Sequence, residues 1–85
     1  MERESYQRSL ERVVTDAGIE VADLATLERL VYERRHRLGL LREDDFEKMK
    51  SGGIRWRHRV RSAIRSMRKA GKAARIGRAF YRFFL

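Results

Sequence analysis

The chain has no cysteine, so disulfides and thiolate metal sites are excluded, and cysteine usage leaves the redox compartment open. No apolar run exceeds about four residues, far short of the roughly twenty that a membrane-spanning helix needs. The opening Met1-Glu2-Arg3-Glu4 is charged from the start and lacks the apolar core of a signal peptide. A soluble, cytoplasmic chain is therefore expected. The most informative absence is that of acid, because no Asp or Glu follows Glu47.

What is there is positive charge, unevenly spread over 85 residues, a length that fits one domain with a small shared core. Residues 1–47 hold 8 basic and 12 acidic side chains, a net of −4, and residues 48–85 hold 13 basic ones, a net of +13. A surface that served solubility alone would mix the two signs. Segregation concentrates positive potential on one region, the electrostatic footprint of a polyanion binder.

Periodicity makes this basic region a folded element rather than a tail. From about Glu4 to Ala17, Tyr6, Leu10, Val13, Val14 and Ala17 follow the spacing of an amphipathic helix, with Gly18 as its cap. Ile19 and Val21 flank Glu20 in a stretch that fits a tiny strand or a single bridge. A second helix is predicted from an N-cap at Thr26 to Gly39, turning Leu27, Leu30, Val31 and Leu38 inward. Residues 42–49 suggest one or two helical turns whose acids cap a dipole and whose Phe46 and Met49 reach the core. After the break at Ser51-Gly52-Gly53, a helix to Ala70 sets Trp56, Val60, Ala63, Ile64 and Met67 on one stripe. Its opposite side carries Arg55, His58, Ser62, Arg65, Ser66 and Lys69, with Arg59 and Arg61 on the flanks.

Gly77-Arg78 reads as the two-residue turn of a type II′ hairpin over residues 72–85. That register puts Ala74, Ile76, Ala79, Tyr81 and Phe83 on one face, and Arg75, Phe80, Arg82 and Phe84 on the other. The expected fold is mainly α with a small β-hairpin, a winged helix-turn-helix in one domain over 1–85. Residues 1–50 form its helical scaffold, 51–71 the recognition helix and 72–85 the wing.

The stretch from Trp56 to Gly71 resembles the last helix of winged-helix modules found on restriction enzymes. In the Mrr-type N-terminal domain a Gly-rich lead-in, a tryptophan, R-x-x-x-A and K-A-G follow in the same order. Gly77-Arg78-Ala79-Phe80-Tyr81-Arg82 looks like the G-R-G-x-Y-R wing of that domain. Wings of the Dpn-type methyladenine-dependent nucleases and of the HARE-type helix-turn-helix are similar. The match covers residues 51–84 and is only architectural before them, and Ala79 stands where these wings have glycine. It implies a DNA-binding module, a small regulator of transcription or the targeting part of a restriction or phage system, with no nuclease domain.

The candidate site residues follow from that geometry. Arginine forks pair with guanine edges and phosphates, and the N-terminal half of a recognition helix meets the bases. Arg55, His58, Arg59 and Ser62 are assigned to the groove, Arg57, Arg61 and Arg65 to the adjoining contact face, and Lys72, Arg75, Arg78 and Arg82 to the wing. Like charges at Arg55–Arg59, Arg57–Arg61 and Arg61–Arg65 have no acid within the helix to relieve them. Trp56 lies on the apolar stripe and is read as core rather than as a stacking platform. Phe80 and Phe84 are assigned to packing or to self-association as a homodimer. No nucleophile–base pair is visible, and His36 and His58 lie 22 residues apart, so no catalysis, metal, cofactor or small-molecule substrate is expected. The partner is duplex DNA, which would make the protein nucleoid-associated. The alternative is a protein-interaction winged helix docking an acidic partner, such as a polymerase-associated protein.

Overall fold

Helix α1, Tyr6–Asp16, begins where the Ser5 hydroxyl accepts the Arg8 N–H at 3.1 Å, satisfying one of the free donors of the first turn. In the computed structural model, which describes residues 3–85, it is followed by strand β1, Val21–Asp23, and helix α2, Leu24–Arg37. A 3-10 turn at Glu43–Phe46 leads to helix α3, Arg55–Lys69, and to strands β2, Ala73–Gly77, and β3, Phe80–Phe83. Three helices with a small antiparallel sheet in the order β1-β3-β2 make a winged-helix-like α+β fold. Among the described residues no helix is long and apolar enough to cross a membrane.

One side chain set from each helix meets at the centre. Leu10, Val13 and Val14 of α1, Leu27 and Val31 of α2, and Val60, Ala63, Ile64 and Met67 of α3 are buried together with Ala73 and Phe83 of the sheet. The predicted stripe of α3 is thus the one that packs, with Trp56 partly buried beside it and its ring centroid 4.9 Å from that of Tyr32. The scaffold departs from expectation at its edges. Helix α2 starts at Leu24, two residues before Thr26, because the β1–β3 pairing runs straight into its first turn. Ala17 and Leu38 are exposed, each being the cap residue beyond its helix. Phe46 is 50% exposed, its ring edge-on to Tyr32, and the residue of that turn that goes inside is Asp45.

The hairpin differs by one residue from the predicted register. Arg75 pairs with Tyr81 and Gly77 with Phe80, so β2 carries an extra, unpaired residue, Ile76, as a bulge. The connection is therefore Arg78–Ala79 rather than Gly77–Arg78, and the left-handed residue is Ala79 at φ 61°. Two contacts set this register. Strand β1 pairs Val21 with Arg82 and Asp23 with Phe80, and the Leu24 N–H donates to the Ala79 carbonyl at 2.8 Å. Because a one-residue slip exchanges faces, Ala73 and Arg75 lie on the Tyr81–Phe83 side, and Ala74 lies with Arg82 on the outer side. Ala74 is thus not on the Tyr81–Phe83 face predicted for it, Ile76 is unpaired in the bulge, and Arg75 exchanges faces to join Tyr81.

Candidate nucleic-acid interface

Helix α3 presents its basic side chains in two halves with different fates. In the N-terminal half, acids from other elements reach Arg55, Arg59 and Arg61, which lack a partner within the helix. Arg59 sits between two carboxylates, bonding Asp44 Oδ2 through Nη2 at 2.9 Å and Asp45 Oδ1 through Nη1. Arg55 pairs with Glu47 at 3.1 Å, and Arg61 lies 3.9 Å from Glu28 of α2. His58 is half-buried, its Nε2 3.1 Å from the Gly52 carbonyl. The expectation that the like charges of Arg55, placed outward, and Arg59, placed on a flank, stand uncompensated is corrected. The like charges of the helix are relieved there by the turn that folds beside it.

Asp45 explains why Arg59 is held firmly. The residue is 1% exposed, and its carboxylate accepts the Arg42 N–H at 2.9 Å, the Tyr6 hydroxyl at 2.8 Å and Arg59. Burial works to raise its pKa, but those three bonds together outweigh burial and hold the carboxyl below its ordinary value. Asp44 is likewise lowered, chiefly by its bond to Arg59, and Arg59 is raised in turn, chiefly by the bond to Asp44. The Tyr6 hydroxyl is pushed up to about 12 by burial and by the bond to Asp45. Over its ring, at 3.9 Å, lies the buried guanidinium of Arg35, which donates to the Glu4 carbonyl and to Ser9 Oγ, both at 2.9 Å. Glu4 receives Arg34 in a two-pronged bond at 2.7 and 2.9 Å, which, with Ser9 and against burial, brings its pKa to about 2. A connected polar layer therefore runs from Glu4 through Ser9, Arg35, Tyr6 and Asp45 to Arg59.

The C-terminal half of α3 is different. Arg65, Arg68 and Lys69 are exposed and, among the described residues, form no ion pair. Together with Ala73, Ala74 and Arg75 of β2 they line an open groove of about 650 Å³ that contains no acid. The bulge at Ile76 contributes to this, since the register it creates puts Arg75 on the same sheet face as the buried Ala73, with its Nε donating to the Gly77 carbonyl at 3.1 Å and its terminal nitrogens left free of ion pairs among the described residues. Arg57 is also unpaired, lying 5.4 Å over the Trp56 ring, and Arg78 stands exposed in the wing turn. The remaining wing residues do not join the groove. Lys72 reaches Glu11 at 3.5 Å, and Arg82 is on the outer sheet face beside Glu20 and Phe84.

The structure thus brings together Arg65 and Arg75 of the predicted set and adds Lys69, which periodicity placed on the outer side, and Arg68, to which it gave no face. It sets Arg55, His58 and Arg59 against the 42–53 segment, leaves Ser62 exposed between the halves, and separates Arg82 from α3. Phe80 and Phe84 are 49% and 58% exposed and lie outside the buried cluster, Phe84 bordering a cleft beside Val14 and Ile19. Electrostatically, the groove can take phosphate-like anions at spaced positions without displacing an internal acid. Comparison with protein-family models, curated proteins and solved structures finds no match to this chain.

Proposed function

We propose that this domain binds duplex DNA, with α3 and the hairpin meeting the double helix side by side. The observation that carries the reading is the acid-free groove in which Arg65, Arg68 and Lys69 of α3 face Arg75 of β2. Four cations held close together repel one another, and a polyanion that bridges them removes that cost while releasing its own counterions. Arg78, exposed in the wing turn, adds a further cation on the hairpin side. The charge asymmetry of the chain, with every acid at or before Glu47, supports the same partner. The resemblance of residues 51–84 to restriction-associated winged helices agrees with it.

Fluorescence anisotropy of the full chain with a labelled duplex tests the proposal. With about five to eight phosphates contacted, log K against log salt should fall with a slope near −5 to −7. Failure to reach saturation with duplex at low salt, or a slope near zero, refutes duplex binding. Saturable binding of an acidic polypeptide but not of duplex would assign the surface to a protein partner.

A further inference from the structure

In helix-turn-helix docking, base edges are read mainly by the N-terminal half of the recognition helix, and phosphates are held by cations around it. In this chain that division coincides with a division in charge state. The side chains in position to read bases are already occupied: Arg59 by Asp44 and Asp45, Arg55 by Glu47, and His58 by the Gly52 carbonyl. Releasing Arg59 would leave Asp45, 1% exposed, as a buried carboxylate without its cation. The acids do more than occupy these arginines. Asp44, Asp45 and Glu47 place negative charge beside the first turns of α3, where a major groove would bring its own phosphates. Among the exposed residues of this half, Arg57, lying 5.4 Å over the Trp56 ring, and the uncharged Ser62 form no ion pair among the described residues.

We infer that the domain grips duplex DNA through its phosphates, using Arg65, Arg68, Lys69 and Arg75, and does so without preference for base sequence. The inference rests on duplex binding itself and specifies how that binding is achieved. The 42–53 segment acts as a spacer that turns the N-terminal end of α3 away from the base edges. The C-terminal half of the helix and β2 then lie along the backbone. Recognition depends on the spacing and charge of the phosphates, so the target is duplex DNA of any sequence.

The test uses the full chain and a random duplex library, followed by anisotropy with four duplexes of equal length and unrelated sequence. Selection should return no consensus, and the four affinities should agree within about tenfold at one salt concentration. Sequence readers instead separate site from non-site by about 10³-fold or more. An enriched consensus, or a spread beyond tenfold, overturns the inference while leaving duplex binding intact. Absence of binding to every duplex overturns the underlying reading as well. Lys69→Ala and Arg75→Ala should each weaken all four duplexes alike and reduce the salt slope by about one. Arg55→Ala should change affinity less than about twofold, its charge being already paired with Glu47. A loss from Arg55→Ala as large as that from Lys69→Ala overturns the inference, because it would put the N-terminal half of α3 on the DNA. All three side chains are exposed or half-exposed, so an unchanged melting temperature verifies that each variant is folded.

Discussion

Replacing Ala79 by glycine removes a backbone cost that this fold accepts in order to close its hairpin. At φ 61° the Ala79 Cβ is held against the following carbonyl, a conformation that costs an L-residue about 1–2 kcal/mol. Glycine occupies that region freely, but its greater freedom in the unfolded chain returns about 0.4–1 kcal/mol. The net gain expected is about 0.5–1 kcal/mol, which for a domain of this size raises the melting temperature by about 2–8 °C. Thermal unfolding followed by circular dichroism reads this directly. Gly39→Ala provides the mirror experiment, at φ 67° with nothing within 4 Å of the added Cβ, and should lower the melting temperature. If Ala79→Gly is neutral or destabilising, the left-handed turn is not the conformation of the hairpin in solution. The alternative would then be the Gly77–Arg78 turn with its opposite assignment of Arg75.

Arg59→Ala should lose about 2–3 kcal/mol in urea unfolding, since it strips the cation from a buried carboxylate. Arg61→Ala, half in water and 3.9 Å from Glu28, should lose less than about 0.5 kcal/mol, and equal losses would contradict the special standing of Asp45. Glu4, Asp44 and Asp45 all have folded pKa values below their unfolded ones, so the stability they confer is present above the unfolded values and disappears on acidification. For Glu4 that window runs from 4.5 down to about 2, and Glu4→Gln should flatten the stability–pH curve within it. Phe80→Ser and Phe84→Ser should each cost about 1 kcal/mol, roughly half of what full burial of a phenylalanine is worth, because both are about half in water. A larger loss, with a melting temperature that depends on protein concentration, would mean that a second copy covers them.

The elements of the fold were legible because their signals are local. The stripe of α3, the glycine at its end and the order of helices and strands follow from residues a few places apart. The details that fix the site depend on contacts between distant segments. Asp45 is buried because Tyr6 and Arg59, 39 and 14 residues away, both bond to it. Within its own segment it is one of several acids near a turn, with Phe46 beside it as the apparent core residue. Arg59 looks free for the same reason, since the acids that hold it lie outside its helix. The hairpin register escaped because β1 and the Leu24 N–H set it from outside the hairpin, whereas turn composition favoured Gly77. An acid-rich turn shortly before an acid-free helix is the signal from which the Arg59 pairing could have been found.

The central position of β3 has a consequence for the timing and energetics of recognition. A wing that is only a hairpin can swing, and a partner must then immobilise it at an entropic cost. Here β3 is bonded on both sides, to β2 and to β1, and its turn is tied to the start of α2 by the Ala79 carbonyl. The strand between Phe80 and Phe83 cannot detach without breaking the joint between the first two helices. Wing and helices therefore open as one cooperative unit, and the amides of β3 should exchange with solvent at the rate of the core rather than of a surface loop. The positively charged edge is thus ordered in the free domain, so the proposed duplex binding would leave little chain to order, and its association rate would be governed by diffusion and long-range attraction.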